Sequence, residues 1–252
     1  MLPHLGSYRT LSGAMALALL SACSVAPEGG TGVHDPYESA NRATHALNTG
    51  LDRAVLRPAS QAYGQITPEP VRTSLDNASA NLGLPAAAAN KLLQGDLEGT
   101  VHNVARFVLN STVGLFGLFD PATEIGLFEQ EAGFADTLAV WGADEGAYVV
   151  LPFFGPSTER DSAGLLVDLV TNPVESLLGS DAGDAVLPLF AAETLNSRYE
   201  FTNSVDSILY ESADSYTQLR LFYLDSRRFE LGQTAKEDED PLEDLYDGLF
   251  DE

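Results

Sequence analysis

Apolar residues along most of this chain recur every three to four positions, which is the spacing of an amphipathic α-helix. Several helix starts are marked by capping residues, with Asp35 before Pro36, Thr67 before Pro68, and Asp96 before an apolar repeat. Frequent prolines and glycines interrupt the pattern, so the helices are expected to be short. The pattern predicts helices over residues 35–56, 67–82, 85–93, 96–110, 134–141, 158–170, 198–210 and 215–231, with a weaker helical pattern continuing to residue 190.

The segment 96–110 has the clearest two-sided pattern. Its apolar residues recur at i, i+4, i+7, i+8 and i+11 and form one stripe, while polar residues occupy the opposite side. On the polar side His102 lies near Arg106, where a phosphate could bind, although a pair that is solvated or satisfied within the protein is the commoner outcome. The stripe consists of Leu97, Val101, Val104, Ala105 and Val108, and the polar side of His102, Asn103, Arg106 and Asn110.

Two segments depart from the helical period. Residues 112–119 are apolar but broken by Gly114 and Gly117, and they fit either a buried helix segment or an apolar surface patch pressed into lipid. The apolar side chains of that run are Leu115, Phe116, Leu118 and Phe119. Tyr148–Leu151 is the best strand candidate, either as half of a small hairpin or as an extended loop. Because strand patterns are so scarce, the sequence predicts an all-α domain.

The composition indicates a folded protein with a strongly acidic surface. Hydrophobic residues make up 44% and charged residues 20% of the 252, as in ordinary globular proteins. The 13 Lys and Arg residues face 37 Asp and Glu residues, a net charge of −24, which excludes nucleic acid as the main partner because phosphate binding needs a basic footprint. Residues 233–252 are expected to form a solvated acidic tail. Because a net charge of −24 disfavours contact with anionic lipid head groups, any membrane contact must be hydrophobic or covalent.

The amino-terminal residues predict a secretory leader, residues 1–22. Arg9 precedes an apolar run over residues 11–20, which is too short to span a bilayer. The sequence Leu-Ser-Ala-Cys ending at Cys23 resembles a bacterial lipobox, so Cys23 is the predicted lipidation site. A conventional leader followed by a chance cysteine is the alternative. Residues 23–34 are expected to be a flexible tether, and no later stretch is long and apolar enough for a transmembrane helix.

Motifs for catalysis or metal binding are not found in the sequence. His34, His45 and His102 lack the spacing of a zinc site, and no thiol remains once Cys23 is lipidated. Ser157 lies in no GxSxG elbow and is better explained as a helix start. No nucleotide-binding loop is present, and no catalytic residue, metal or cofactor is predicted. Trp141 and Tyr148 fit a lipid interface or the core, and Arg220, Arg227 and Arg228 are expected to be structural.

Six blocks of sequence resemble the MlaA (VacJ) family of outer-membrane lipoproteins. Their order and spacing cover nearly the whole chain from Asp35 to about Leu231. The blocks are DPYESANR at 35–42, RP at 57–58, TPEPVR at 67–72, NLGLPAAAANKLLQGD at 81–96, RFVLNSTVGLFGLFDPA at 106–122 and GAYVVLPFFGPSTERD at 146–161. The resemblance implies an MlaA-like helical domain over residues 35–232. The tether and the acidic tail match poorly, so no function is carried over to them.

The resemblance also implies a function and a location. It implies a ring of short amphipathic helices around a central channel, embedded in one leaflet, that lets misplaced phospholipid leave the outer leaflet and so maintains lipid asymmetry. The implied partners are phospholipid, a periplasmic phospholipid carrier and a trimeric porin, and Ser24 after Cys23 implies the outer membrane, facing the periplasm. Gly142 and Gly146 match a loop near the channel and are the expected hinge points. The membrane rim candidates are Leu115, Phe116, Leu118 and Phe119.

Physical chemistry constrains any such transfer independently of the resemblance. Exposing about 30 lipid methylenes to water would cost on the order of 25 kcal/mol, so the tails need continuous apolar shelter. Helices with two usable faces, such as 96–110 and 198–210, suit that need. An acidic surface would repel anionic head groups and attract a basic carrier. Two alternatives remain open: a porin-associated scaffold that moves no lipid, and an envelope hydrolase, which would need a pocket with a poised nucleophile or carboxylate pair.

Overall fold

The computed structural model describes residues 35–171 and 180–232. These residues are mostly helical and include one two-stranded sheet, which confirms the predicted all-α class. The helices are α1 (Glu38–Leu51), α2 (Arg57–Ile66), α3 (Glu69–Leu93), α4 (Leu97–Thr112), α5 (Pro121–Glu124), α6 (Phe134–Val140), α7 (Glu159–Thr171), α8 (Ser180–Glu200), α9 (Thr202–Asp206) and α10 (Ser215–Glu230). The strands are β1 (Tyr148–Leu151) and β2 (Gly155–Thr158), and π-helical turns cover Asp52–Leu56 and Ser207–Glu211.

Two prolines that were expected to bound helices lie within them. The π-helical turn Asp52–Leu56 joins α1 to α2, so the helix continues past Pro58 instead of ending at Leu56. The wider turn accommodates a proline ring that a regular α-helix would exclude. Pro85 lies inside the 25-residue α3, where the burial of Leu84 and Ala88 outweighs an intrinsic cost of about 3 kcal/mol.

The predicted caps are partly right. The carboxylate of Asp96 accepts a hydrogen bond from the Gly99 amide at 2.8 Å, which confirms the start of α4. Asp35 does not cap α1, because its carboxylate pairs with Arg220 at 2.6 Å instead. The interpretation of Ser157 as a helix start is wrong: it lies in β2, and the hydroxyl of Thr158 accepts the Asp161 amide at the start of α7.

The strand prediction at Tyr148–Leu151 is confirmed as half of a hairpin. Strands β1 and β2 pair antiparallel, with Tyr148 opposite Thr158 and Leu151 opposite Gly155. A small apolar core lies beside the hairpin and consists of Tyr148, Val150, Tyr216 and Leu224, with Tyr223 packed against it. Tyr148 is therefore a core residue at this end of the molecule.

The elements pack on one another in a definite order. Helix α3 packs on α4, α6 and α8, and α8 packs on α2. Helix α1 packs on β1, the hairpin packs on α7 and α10, and α7 packs on α6. In residues 35–171 and 180–232 no helix is both long and apolar enough to cross a bilayer. The predicted leader, the lipidation at Cys23, the tether and the acidic tail lie outside the described residues.

Candidate functional site: an apolar face and an adjoining cleft

Helix α4 buries its polar side and exposes its apolar side. Asn103, Arg106 and Asn110 are buried, with at most 3% of their surface exposed. Val101 and Val108 on the opposite side are 68% and 53% exposed. A large contiguous apolar surface of this kind marks contact with a membrane or another protein. We call it the α4 face, and it consists of Leu97, Val101, Val104, Val108, Val113, Leu115, Phe116, Leu118 and Phe119.

The buried polar side of α4 binds the loop that follows the helix. The guanidinium of Arg106 donates to the carboxylate of Asp120 and the hydroxyl of Thr123, both at 3.1 Å, and to the carbonyl of Leu127. Asn110 donates to Asp120 at 2.8 Å and accepts the Ala122 amide. Both terminal nitrogens of the Arg106 guanidinium are thus bonded within the protein, so the side chain does not present a phosphate site.

The carboxyl of Asp120 is held in its charged form by these contacts. Burial alone would raise its pKa, but hydrogen bonds from Thr123 and Asn110, together with the nearby Arg106, lower the pKa below its ordinary value. His102 bonds the carbonyl of Phe128 at 2.5 Å through Nε2. The polar side of α4 therefore serves to shape residues 113–133 rather than to bind a ligand.

The run 112–119 forms exposed turns rather than a buried helix segment. Leu115 and Phe116 adopt left-handed backbone conformations, with φ of 54° and 61°, and Phe116 is 84% exposed. Gly117, at φ 89°, lies against Asn81, where a Cβ would come within 2.5 Å of that side chain. A strained loop that presents its largest apolar side chains outward is costly in water. The predicted role of Leu115, Phe116, Leu118 and Phe119 as a membrane rim remains a prediction.

Two adjoining cavities open between α3, α6, α7 and α8, and they share Ala86 and Asp168. Their volumes are about 220 and 250 Å³. We call them together the Asp168 cleft. The first is lined by Ser79, Leu82, Gly83, Ala86, Asp168, Val186, Leu189 and Phe190, and the second by Ala86, Ala89, Asn90, Leu93, Phe134, Val167, Asp168 and Thr171. The lining is largely apolar, as a site for hydrocarbon requires.

Asp168 is held in place at the junction of the two cavities. Its Oδ2 accepts the backbone amide of Phe134 at 2.9 Å, at the start of α6. Burial raises the pKa of its carboxyl, with the like charge of Asp136 adding to the effect. Asp168 cannot be singled out from the sequence, because one acid among 37 carries no local signal.

The hairpin is attached to α1 by two asparagines, Asn41 and Asn48, that no sequence motif marks. The amide of Asn41 donates to the Tyr148 carbonyl and accepts from the Val150 amide, both at 2.9 Å. Asn48 does the same seven residues later, with the Leu151 carbonyl at 2.9 Å and the Phe153 amide at 3.0 Å. Two asparagines two helical turns apart thus pair with the free edge of β1 as a neighbouring strand would.

The predicted hinge glycines lie in the loop that leads into the hairpin. Gly142 and Gly146 have φ of 87° and 73°, a region that favours glycine. A Cβ on Gly142 would meet open space, whereas one on Gly146 would lie 2.6 Å from Oε2 of Glu159. Trp141, beside them, is 56% exposed and donates from its indole to the Leu93 carbonyl at 3.0 Å. Whether the two glycines act as hinges remains a prediction.

The arginines of α10 are structural, as expected, although their partners are mostly distant acids. Arg227 pairs with Asp136 at 2.6 Å and with Asp161 at 3.2 Å, and Arg228 pairs with Glu145 at 2.9 Å. Arg220 pairs with Asp35. A second cluster joins the first π-helical turn to α2, α8 and α9 through Asp52, Arg57, Arg198 and Asp206. Within the described residues, no group of three or more His, Cys, Asp or Glu side chains could hold a metal ion.

Comparison with known proteins gives concordant results. A family model described as MlaA lipoprotein matches residues 33–230. The Escherichia coli K12 protein named "Intermembrane phospholipid transport system lipoprotein MlaA" is 33% identical over 221 residues, 86% of each chain. An uncharacterized protein of Rickettsia felis is 34% identical over 75% of this chain and 74% of its own length.

A solved structure also resembles this fold. It comes from work described as "Structural basis for maintenance of bacterial outer membrane lipid asymmetry". The two chains superpose with a TM-score of 0.67 at 31% sequence identity, over 79% of this chain and 99% of the other. The similarity therefore extends over the full length of that structure.

Proposed function

This chain belongs to the MlaA lipoprotein family, and from that premise we propose that it is an outer-membrane lipoprotein that transports phospholipid between membranes. In this proposal it removes misplaced phospholipid from the outer leaflet and passes it to a periplasmic carrier, without breaking any bond. The single observation that carries the proposal is the orientation of α4. Its exposed apolar face favours an apolar surrounding, and its buried polar side is already bonded to the loop that follows the helix.

The proposed position is within the inner leaflet of the outer membrane, facing the periplasm. Burying apolar side chains in lipid is favourable by roughly 25 cal/mol per Å² of surface, and the backbone bonds of a helix are satisfied internally. The α4 face would lie among the acyl chains, with lipidated Cys23 as a covalent anchor. A helix lying in the leaflet explains membrane attachment without a spanning segment.

The order of packed elements supports a ring. Starting at α3, successive neighbours are α8, α2, α1, the hairpin, α7 and α6, and α6 packs on α3 again. The Asp168 cleft, between α3, α6, α7 and α8, is the proposed path for the lipid within this ring. Its lining offers Leu82, Leu189 and Phe190 to the acyl tails, which need shelter throughout the transfer.

The acidic surface has a proposed role in handing lipid on. A net charge of −24 would steer a basic carrier toward the exit, and salt would weaken that encounter. The chain carries no nucleotide-binding motif, so the direction of transfer must come from lipid gradients or from a partner. A trimeric porin beside the α4 face is a further proposed partner.

A cell-surface assay tests the proposal. Deletion of the gene should expose phospholipid on the cell surface, and the wild-type chain should restore the barrier. The double variant Val101→Asn, Val104→Asn should fail to restore it, because both positions lie on the α4 face. The matched control Val101→Leu, Val104→Leu keeps the face apolar and should succeed. Unchanged surface phospholipid in the deletion strain would favour the porin-associated scaffold, and equal rescue by both variants would contradict the membrane position of α4.

A further inference from the structure

The Asp168 cleft has a charge of one sign only. Among the described residues that line its two cavities, Asp168 is the only ionisable one, and it lines both. Ser79, which also lines the first cavity, is bonded to a second acid: its hydroxyl donates to Oε2 of Glu193 at 2.5 Å. No arginine or lysine contributes to the lining that the structure describes.

Among the described residues, no arginine, lysine or histidine pairs with the carboxylate of Asp168. Arg227 instead pairs with Asp136 and Asp161. Asp168 receives hydrogen bonds from the Phe134 amide and from the side chain of Asn90. These contacts fix the position of the carboxylate but leave its charge without a counterion. A half-buried carboxylate without a counterion is costly to maintain, so a role in binding a cation would explain its presence.

We propose that Asp168 selects phospholipids whose head group carries an ammonium, by binding that ammonium as the lipid passes through the cleft. This inference rests on the proposed transport function and names the lipid class that the site favours. The carboxylate of Asp168 repels the phosphate of any phospholipid. In a zwitterionic lipid the ammonium lies only a few bonds from the phosphate, and the carboxylate attracts that ammonium. An anionic lipid with a glycerol head group has no ammonium, so only the repulsion between its phosphate and the carboxylate remains. The acyl tails meanwhile contact Leu82, Leu189 and Phe190.

Lipid binding to the purified full-length lipoprotein tests this directly. The protein is equilibrated with vesicles of equal parts phosphatidylethanolamine and phosphatidylglycerol, repurified, and its bound lipid is measured by mass spectrometry. The wild type should hold about five times more of the amine lipid, the effect expected of one partly screened ion pair. Asp168→Asn should reduce the ratio to about one, since it keeps the shape and an oxygen that can accept the Phe134 amide.

Two further variants separate the charge of Asp168 from its structural role. Asp168→Glu keeps the charge and should keep most of the preference. Glu211→Gln removes the same charge from an exposed position on the second π-helical turn and should leave the ratio unchanged. A ratio that falls equally in Asp168→Asn and Glu211→Gln would mean that net charge governs the preference, which would overturn the proposal.

The remaining outcomes distinguish failure of this inference from failure of the transport function. Equal binding of both lipids by the wild type would overturn the role of Asp168 while leaving transport intact. No lipid bound above a protein-free control would contradict the transport function itself. Free phosphoethanolamine at millimolar concentration should not displace the lipid, because it lacks the tails that the apolar lining holds. Displacement would indicate a site for soluble amines and would also overturn the proposal.

Discussion

Helix α4 exposes the apolar side chains of Val101 and Val108 and buries the guanidinium of Arg106. Helix α10 instead packs Tyr216 and Leu224 against the hairpin and keeps Arg228 partly exposed. The two helices differ in what they bury, a guanidinium in α4 and apolar rings in α10, although α10 also exposes Phe222 and Phe229. Burial of apolar surface is favourable only when the alternative surrounding is water. The difference is what we expect if α4 faces lipid, as proposed, while the packed side of α10 faces the small core beside the hairpin.

The polar interior is the counterpart of this arrangement. Among the described residues, buried polar and charged side chains outnumber buried apolar ones. In water such an interior gains little, because each polar group loses hydration on burial. Where the outside is apolar, the same groups gain by facing inward and bonding one another. The contrast between the α4 region and the hairpin–α10 region can be tested at four places.

The largest effect is expected at the buried ion pair of the α4 region. Arg106→Met keeps the length of the side chain but leaves the partly buried carboxylate of Asp120 without its cation and the Leu127 carbonyl without its donor, which should cost about 3–5 kcal/mol in the free energy of unfolding. Urea unfolding of the full chain in detergent micelles measures this. Arg228→Met removes a partly exposed partner of Glu145 and should cost at most about 1 kcal/mol. Equal losses of stability in the two variants would contradict a greater role for the buried guanidinium of Arg106.

The behaviour of Arg106 also marks the limit of the sequence pattern. Periodicity over 96–110 correctly predicted a helix with two unlike sides, and Asp96 correctly predicted its start. Periodicity does not say which side faces the protein, because that depends on the surrounding medium. The resemblance to a family of membrane lipoproteins indicated that the apolar side could face lipid, which the sequence pattern alone did not.

Other features could not be predicted because they depend on distant partners. Asn41 and Asn48 pair with a strand about a hundred residues away, and Asp168 acquires its setting only when α3 and α8 close around it. Pro85 lies inside α3 because tertiary packing outweighs local preference. The first strand was predictable, since Tyr148–Leu151 is a β-branched and aromatic run, but its pairing with Gly155–Thr158 was left open.

The second test compares truncation of one apolar side chain in each region. Leu224→Ala should cost about 2–5 kcal/mol, since it opens a cavity beside Tyr148 and Val150. Val108→Ala should change the free energy of unfolding by no more than about 0.5 kcal/mol, because its side chain points away from the protein.

Membrane binding should show the reverse order. Val108→Asn should weaken association of the unlipidated chain with vesicles, whereas Leu224→Ala should leave it unchanged as long as the protein is folded. Vesicle flotation measures this directly. If Leu224→Ala weakened binding more than Val108→Asn did, the proposed contact of α4 with lipid would be contradicted.

The third test concerns how the hairpin is held. Asn41→Ala leaves the Val150 amide and the Tyr148 carbonyl without side-chain partners in a buried setting, which should cost about 1–3 kcal/mol. Asn48→Ala should have a smaller effect, confined to the Phe153 end, because Asn48 is only half buried. Hydrogen exchange at the Val150 and Phe153 amides separates the two. The control is Asn203→Ala, at an exposed position. In this variant both amides should exchange as slowly as in the wild type.

The smallest effect is expected at the loop before the hairpin. An alanine at a left-handed position costs about 1–2 kcal/mol, so Gly142→Ala, which meets open space, should cost about 1 kcal/mol. Gly146→Ala should cost more, because its Cβ would also press on Glu159. Gly50→Ala lies in a regular helix with free space and should instead stabilise the protein by about 0.5–1 kcal/mol.

These three glycine variants also decide whether Gly142 and Gly146 are hinges. If the loop bends during transport, Gly142→Ala should impair rescue in the cell-surface phospholipid assay beyond what its small loss of stability explains. Gly50→Ala should rescue fully, since it touches no part of the loop. Full rescue by Gly142→Ala would mean that its positive φ serves only the static turn after α6. The hairpin would then be a fixed part of the hairpin–α10 region, and any motion during transfer would have to lie on the side of α4 and the Asp168 cleft.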